Sequence, residues 1–347
     1  MVGELVASGN ISDSGWEAAF RAVPRHLFVS RFYRGDANGS AVIDSGAGNE
    51  WLAAVYSDTH LVTTEDVRSS STAPSLMASM LQALELTGNE RVLEIGTGTG
   101  YNAALLSERL GADQVVSIDI DPGLIVEARE RLEAAGYEPL VAVADGVNGY
   151  PVAGPYDAVI ATCRLDYIPA AWLQQLRPGG VIVTPLGAGV AVLRKTGDGA
   201  EGEFLPNPAY FMPLRHQPEP TDIAELIQVA LNGTGISRPH RFDTSMYRDD
   251  EARFWLDLTQ PGVRLVTVDG VALAFRPDGS WARLVDGLVV QGGPGFVWDD
   301  VKAAHEGWLS AGRPSRERHR LRVSSAGQDV YLVDSSESRH RLEPLQG

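Results

Sequence analysis

The sequence predicts an α/β protein with an open parallel sheet, and three observations support this. Short apolar segments alternate with helical patterns from residue 92 to about residue 185. The first of these segments runs directly into three glycines spaced two apart, and each of the next two ends in an aspartate. Because ligands of open parallel sheets bind at the carboxyl ends of the strands, this pattern predicts a small-molecule site along one edge of the sheet.

The glycine loop follows the predicted strand 92–95 and precedes a helical pattern at 101–110; its glycines are Gly96, Gly98 and Gly100. Glycine lets the backbone approach a ligand closely, and the helix that follows offers free N–H groups. Tyr101 stands where a P-loop requires lysine, which excludes that motif. The spacing, with Glu94 two residues before the first glycine, suits S-adenosylmethionine (SAM) better than a pyrophosphate, because a carboxylate repels phosphates. On this motif alone, a turn that needs glycine only for packing remains an alternative.

Two acidic residues follow the next predicted strands. Asp119 ends the strand 115–118, where it is placed to accept hydrogen bonds from both hydroxyls of a ribose. Asp145 and Gly146 follow the strand 140–144, and an acid there can reach the exocyclic amine of an adenine. Each acid by itself is more often a helix cap or a loop residue. Their recurrence at successive strand ends favours a nucleoside site.

Composition and charge exclude several classes of protein. The formal net charge of −16 disfavours a nucleic-acid partner, and the basic run 313–322 has the alternation of a solvent-exposed strand. The histidines lack metal-ligand spacing, so no metal is expected. Cys163 is the only cysteine, which excludes an intramolecular disulfide and fits a reducing cytoplasm. No apolar stretch is long enough to span a membrane, and no secretion signal opens the chain, so we expect a cytoplasmic protein without membrane contact.

The N-terminal region contains one amphipathic helical pattern. It covers residues 13–29 and is interrupted by Pro24. Gly, Ser, Asn and Asp dominate residues 35–49, which predicts a surface loop. A short strand is predicted at 59–64.

Four hydroxyl residues, 69–72, stand directly before Pro74. Proline at the first helical position predicts a helix over 75–86. The hydroxyl run then has two interpretations. It is either a plain capping segment or a set of donors, including Ser70, aimed at an anionic substrate beside the glycine loop.

The alternation of strands and helices continues after Asp145. Strands are predicted at 157–161, 181–185, 190–195 and 209–214, with a helix at 168–176 and a turn at 197–202. Thr162, Cys163 and Arg164 follow the first of these strands and are expected to open onto the ligand cleft. A lone cysteine without a partnered histidine is more often a packing residue than a nucleophile.

Residues 66–187 resemble protein-L-isoaspartate O-methyltransferases. The resemblance rests on the segments 71–74 (STAP), 92–101 (VLEIGTGTGY), 117–119 (SID), 145–146 (DG), 156–160 (YDAVI) and 176–180 (LRPGG). It implies a doubly wound, Rossmann-like sheet, SAM as methyl donor and S-adenosylhomocysteine (SAH) as product. The cofactor-binding residues it implies are Glu94, Gly96, Thr97, Gly98, Gly100, Asp119, Asp145, Gly146 and Thr162.

The same resemblance implies a carboxylate as methyl acceptor, and the family's essential serine corresponds to Thr72. A carboxylate is already ionised at neutral pH, so no general base is required. Thr72 and Ser71 are the expected catalytic residues, because their hydroxyls can orient the acceptor. The expected substrate-binding residues are Ser70, Arg164, Arg215 and His216, with arginine suited to clamping an acid.

Three departures from the family bear on the substrate. The loop 162–167 is bulkier and more charged than the family's, an insertion covers roughly 34–53, and the chain continues for about 130 residues past the last core strand. Together they resemble actinobacterial homologues of ribosomal-peptide (lanthipeptide, lasso and graspetide) pathways. Those homologues methylate an aspartate of a modified peptide, and the ester closes to a succinimide (aspartimide). The alternatives are repair of isoaspartate in damaged proteins, a non-catalytic SAM-fold binding subunit and, least favoured, an NAD oxidoreductase.

The chain divides into three expected regions: 1–65, 66–217 and 218–347. The last is predicted to be an α+β domain with helices at 221–232 and 297–309, strands at 263–268, 271–275, 281–285 and 288–291, and a final hairpin at 321–334. Asp-Gly pairs between its strands are hairpin signals. It carries no catalytic motif, so gripping a peptide, stabilising the core and forming a dimer all remain possible roles.

Overall fold

The computed structural model describes residues 1–36, 39–215, 223–240, 244–333 and 339–342. Within these ranges the helices are α1 (Val2–Ala7), α2 (Ser14–Ala22), α3 (Asn49–Val55), α4 (Pro74–Gln82), α5 (Tyr101–Leu110), α6 (Pro122–Ala134), α7 (Ala170–Gln175), α8 (Ile223–Asn232), α9 (Asp250–Thr259) and α10 (Val297–Ser310). None of these described helices is long and apolar enough to cross a membrane.

The strands of the described residues form three sheets. They are β1 (Arg31–Asp36), β2 (Gly39–Asp44), β3 (Leu61–Val62), β4 (Ser70–Ser71), β5 (Val92–Ile95), β6 (Val115–Asp119), β7 (Leu140–Val143), β8 (Tyr156–Ala161), β9 (Leu176–Leu186), β10 (Gly189–Thr196), β11 (Gly199–Phe204), β12 (Ile236–Pro239), β13 (Arg264–Val268), β14 (Val271–Phe275), β15 (Trp281–Val285), β16 (Leu288–Gly292), β17 (His319–Ser324), β18 (Gly327–Leu332) and β19 (Arg339–Leu342).

Ten strands form the main sheet, in the order β7-β6-β5-β8-β9-β10-β11-β17-β18-β19. The pairs from β7 to β9 are parallel, and all the pairs from β9 to β19 are antiparallel. The chain runs outward from β5 to β7 and then returns to β8 on the other side of β5. This reversal is the topological switch point at which such sheets bind ligands.

Both faces of the parallel half are covered. On β5, Val92 packs in a core that includes residues of α2, α4 and α5, whereas Leu93 and Ile95 pack in a second core with α7 and α9. Burial on two faces explains why these strands are apolar almost throughout. The doubly wound α/β class expected from the resemblance is confirmed.

The N-terminal region contains a four-stranded sheet in the order β2-β1-β3-β4. The expected surface loop at 35–49 is wrong, because β1 and β2 form a hairpin in which Tyr33 lies opposite Val42, and α3 follows it. Phe32 is buried against Val55 and Leu61, so contacts distant in sequence decide the structure of a polar segment. The inserted hairpin therefore extends the sheet whose last strand, β4, contains Ser70 and Ser71.

The expected last core strand at 209–214 is also wrong. The strand that follows β10 along the chain and pairs with it is β11, which occupies the segment where a turn was expected at 197–202. The segment 209–214 instead crosses the carboxyl end of β8, where Arg164 N–H donates to Met212 O at 2.8 Å and Leu214 N–H donates to Arg164 O at 2.8 Å. This irregular crossing places residues 212–215 over the switch point.

The C-terminal extension contributes to two sheets. Strands β12 to β16 form a separate sheet in the order β12-β16-β15-β14-β13, while β17 pairs with β11 and so joins the extension to the main sheet. Arg316, fully buried, fastens this junction: it pairs with Glu251 at 2.9 Å and donates to Ala188 O at 2.7 Å and Asn207 O at 3.3 Å. The extension thus anchors the chain at two places, before β10 at Ala188 and after β11 at Asn207.

Candidate active site

A cavity opens at the carboxyl ends of β5, β6 and β8, at the switch point of the sheet. It holds about 610 Å³ of empty space, including its open mouth. This size is within the usual range for small-molecule sites. One side is formed by residues of the strand ends and the glycine loop. The other side is formed by residues 68–70 and 212–215.

The glycine loop needs glycine for its backbone conformation. Gly96, Gly98 and Gly100 have φ values of 99°, 51° and 87°, a region that residues with a side chain rarely adopt. A Cβ on Gly96 would lie 2.6 Å from Thr162 Oγ1, so the close approach of β8 also demands glycine there. Gly96 and Gly98 line the cavity with bare backbone.

Asp119 stands at the end of β6 with its carboxylate at the cavity. Its side chain is 8% exposed, and it accepts hydrogen bonds from Gly98 N–H and from Asp121 N–H, both at 3.1 Å. Arg215 reaches the same carboxylate at 3.5 Å and Asp121 at 3.6 Å. The structure therefore brings Asp119, the glycine loop and Arg215 together. The sequence predicted that the first two would lie at one site.

Asp145 and Gly146 lie at the adjacent strand end. The Asp145 carboxylate accepts a hydrogen bond from Val147 N–H at 3.0 Å, and Gly146 lines the cavity. A Cβ on Gly146 would lie 2.6 Å from Ile95 Cγ2 and 2.8 Å from Leu214 Cδ1. The glycine therefore lets these two apolar side chains meet at the cavity wall.

Glu94 takes a different place from the one expected, because it lies beneath the loop and not in the cavity. Its side chain is 0% exposed, and it accepts hydrogen bonds from Ser117 Oγ at 2.5 Å and Asn102 Nδ2 at 2.8 Å. Thr97 belongs to the same buried network through a 2.7 Å bond between its hydroxyl and that of Ser117. Burial raises the pKa of Glu94 to about 7. Both residues hold the glycine loop from below.

Thr162 and Cys163 follow β8 and line the cavity. The Thr162 hydroxyl donates to Gly96 O at 2.7 Å, so this residue also fixes the glycine loop. Burial raises the pKa of the Cys163 thiol, which disfavours a thiolate nucleophile. Cys163 is therefore a wall residue in this arrangement.

The hydroxyl run divides into two parts. Ser69 and Ser70 line the cavity, whereas the Ser71 side chain is turned away and buried, where its hydroxyl accepts a bond from Arg25 at 3.2 Å. This corrects the expectation that Ser71 acts on the substrate. Thr72 is half-buried, and among the described residues none forms a hydrogen bond with its hydroxyl. Its carbonyl, however, accepts a bond from Arg25 at 3.0 Å.

Arg25 is the residue that sequence reasoning missed. It lies in the segment 13–29, for which the sequence predicted only an amphipathic helix interrupted by Pro24, yet its side chain is 0% exposed and bonded to the hydroxyl run. The available signal was an arginine directly after a proline and two residues before an apolar run, since arginine is almost never fully buried unless it is paired.

Of the other expected substrate-binding residues, Arg164 points elsewhere. Its side chain lies in a charged cluster with Asp166, at 3.9 Å, and Arg264 of β13 pairs with the same aspartate at 3.3 Å. Arg164 is therefore engaged with the extension, which corrects its expected role as a clamp. Arg215 lines the cavity as expected. His216 lies outside the described residues.

The residues present fit SAM. A carboxylate at the end of β6 suits a ribose, and bare glycine backbone suits the amino-acid part. Apolar side chains of the cavity lining, namely Ile120, Leu124 and Leu214, offer a surface for an adenine ring. Among the described residues no group of histidine, cysteine, aspartate and glutamate side chains has the arrangement of a metal site.

Comparison with known proteins agrees with this geometry. The family model of protein-L-isoaspartate(D-aspartate) O-methyltransferase matches residues 1–216. A protein-L-isoaspartate O-methyltransferase of Ignicoccus hospitalis is 36% identical over 220 residues, which cover 62% of this chain and 95% of that protein. Another, of Syntrophobacter fumaroxidans, is 36% identical over 188 residues and covers 54% of this chain and 78% of its own length.

Solved structures show the same fold. One protein-L-isoaspartate O-methyltransferase has a TM-score of 0.58 at 23% identity, and the match covers 96% of this chain and all of that chain. A proposed family member from Plasmodium falciparum, in complex with SAH, has a TM-score of 0.50 at 14% identity and covers 62% of this chain and 96% of its own. At these identities the likeness establishes the fold alone.

Proposed function

The chain belongs to the protein-L-isoaspartate O-methyltransferase family of SAM-dependent enzymes, and on that premise we propose that it methylates the free carboxylate of isoaspartyl residues in polypeptides. The observation that carries the proposal is the shared cavity. Asp119 and the glycine loop line one side of it, and Ser69 and Ser70, which directly precede Ser71 and Thr72 in the hydroxyl run, line the other. A cofactor and a carboxylate held on these two sides would meet within one site.

The chain's own residues then have separate tasks. Asp119 and the backbone of the glycine loop hold the cofactor, while Glu94, Thr97 and Thr162 keep that loop in place. When bound, SAM supplies an electrophilic methyl group that a carboxylate oxygen accepts without a proton transfer. The Thr72 hydroxyl, which has no partner among the described residues, donates a hydrogen bond that orients the carboxylate. Arg215 adds positive charge at the same mouth.

The proposal requires no general base. The acceptor carboxylate, with an ordinary pKa near about 4, is ionised at neutral pH and needs only to be positioned. The reaction therefore requires orientation of the carboxylate against the methyl group, and this is the role we assign to the half-buried Thr72.

The test uses three synthetic peptides of one sequence that carry isoaspartate, aspartate or asparagine at the same position. We expect a base-labile mass gain of one methyl group, with matching release of SAH, on the isoaspartyl peptide and none on the asparagine peptide. Thr72→Val, which is nearly isosteric, should lower turnover while SAH still binds. Absence of methylation on both acidic peptides, by an enzyme that binds SAH, would refute carboxyl methylation.

A second candidate function is methylation of an ordinary aspartate in a constrained, ribosomally made peptide. The charged loop after β8, where Asp166 is bound by Arg264, and the inserted hairpin in the sheet that ends in β4 favour it. The length of the extension does not favour it, because the match to a solved protein that bears the family name covers 96% of this chain. The names of the curated relatives also fit isoaspartate better. Preference for a cyclic aspartyl peptide over the isoaspartyl peptide would reverse this order.

A further inference from the structure

Arg25 occupies an unusual position for a charged side chain. It is 0% exposed and lies under the strand that carries the hydroxyl run. Its guanidinium donates to the carbonyls of three residues before that run, at 2.9 Å to Val55, 3.2 Å to Ser57 and 3.2 Å to Thr59. It also donates to the Ser71 hydroxyl at 3.2 Å and the Thr72 carbonyl at 3.0 Å.

No carboxylate neutralises this cation at ion-pair distance among the residues that the structure describes. The nearest acid in electrostatic terms, Asp58, caps α4 through a 2.8 Å bond from Ser75 N–H. Burial of a guanidinium without a counter-ion is costly unless all its donors are used. Here the compensation comes from carbonyl and hydroxyl oxygens of two chain segments, 55–59 and 71–72.

The hydrogen bonds determine where Thr72 stands. Three acceptors are main-chain or hydroxyl oxygens of residues 71 and 72, so the backbone on which the Thr72 side chain is mounted is fixed from below. The opposite contacts, to residues 55–59, tie that backbone to the end of α3 and to the segment between α3 and β3. Removal of the guanidinium would leave the backbone next to the cavity wall without this cross-link.

We propose that Arg25 is a positioning residue that holds Thr72 against the acceptor carboxylate. The inference rests on the proposed role of Thr72 in carboxyl methylation and extends it to a residue that touches neither cofactor nor substrate. The alternative is that Arg25 only joins the N-terminal region to the core. In that case, loss of Arg25 would change the stability of the protein but leave the turnover per folded molecule unaltered.

The experiment compares Arg25→Ala, Arg25→Lys and the matched control Arg21→Ala, whose arginine lies on α2 in an exposed pair with Glu17. Folding is checked by thermal unfolding, and SAH affinity by calorimetry. For Arg25→Ala we expect kcat per folded molecule to fall by about 100-fold, the usual cost of a misplaced reacting group, with SAH affinity nearly unchanged. Added guanidinium should restore turnover and ammonium at equal ionic strength should not, since only guanidinium fits the vacated site.

A second readout is independent of methyl transfer. Hydrogen exchange at residues 69–73 should accelerate in Arg25→Ala and slow again with guanidinium, whereas Arg21→Ala should behave as the wild type. Unchanged exchange there would overturn the positioning role even if no substrate is found. If exchange accelerates but the enzyme methylates no acidic peptide, the structural support that Arg25 gives to residues 69–73 would stand. The proposed function would be refuted instead. Where Arg25→Ala does not fold, Arg25→Lys carries the same comparison, and wild-type turnover by that variant would contradict the proposal.

Discussion

One side of the cavity is made by the ends of parallel strands, and the other by segments outside the parallel sheet. In the strand-end wall (residues 95–98, 118–120, 146 and 162–163), short backbone bonds hold neighbouring strands, such as Gly96 N–H to Ile118 O at 2.8 Å. In the loop wall (residues 68–70 and 212–215), the supports come from far along the chain and act on the residues that flank the wall. Arg25 holds Thr72 across 47 residues, and Arg316 holds Asn207 across 109. The cofactor side is thus self-supporting, while the acceptor side depends on both termini.

The largest expected effect comes from removing Arg316, the residue of the extension that supports the loop wall. Arg316→Met leaves Glu251 without its buried partner and frees the carbonyls of Ala188 and Asn207. Loss of one partner of a buried pair typically costs about 3–5 kcal/mol, and we expect a decrease of that size in the free energy of unfolding in urea. A decrease below about 1 kcal/mol, the value of an exposed pair, would show that the extension does not anchor this wall.

The strand-end wall is probed by Glu94→Gln, which keeps the shape of the buried side chain and removes its charge. The native pKa of about 7 exceeds the ordinary 4.5, so the folded state binds more protons than the unfolded state between these values. The contribution of Glu94 to the stability of the wild type should therefore decrease by roughly 3 kcal/mol as pH rises from 4.5 to about 7, seen as the difference between wild type and variant. The variant should lack this slope and still bind SAH. A large loss of SAH affinity would instead make Glu94 a direct ligand.

A smaller effect is expected where the extension joins the main sheet. His319 on β17 is buried beside Phe254 and Trp255, and burial lowers its pKa from 6.5 to about 4. Because the unfolded state binds more protons to this histidine between these values, the contribution of His319 to stability should fall by roughly 2 kcal/mol as pH drops from neutral to about pH 5. Urea unfolding at both pH values checks this. His319→Phe should flatten the dependence, and an unchanged slope would place the titrating group elsewhere.

The two walls also differ in how well the sequence predicts them. The limits of β5 and α5 and the place of Asp119 follow from local patterns: an apolar run, glycines and an acid at a strand end. These patterns report backbone geometry within a few residues, and the parallel sheet needs nothing more to form the cofactor side. The resemblance then added the acceptor and the role of Thr72.

The loop wall did not follow from local patterns. Four consecutive hydroxyls gave no sign that Ser71 faces Arg25, because that direction depends on a residue 46 positions away. Arg164 was assigned to the cavity by its place after β8, yet its side chain pairs with Asp166 of its own loop, which Arg264 of β13 also binds. The pairing of β11 with β17 likewise joins segments more than a hundred residues apart, and strand propensity carries no information on such partners.

The division of tasks between the walls is tested most directly by calorimetric titration of SAH into the wild type, Asp119→Asn and Thr72→Val. Asp119→Asn removes one carboxylate acceptor at the strand-end wall and should weaken binding by about 1–3 kcal/mol. Thr72→Val alters only the acceptor side and should leave SAH affinity within about twofold of the wild type. Unchanged affinity in Asp119→Asn together with a loss in Thr72→Val would contradict the account.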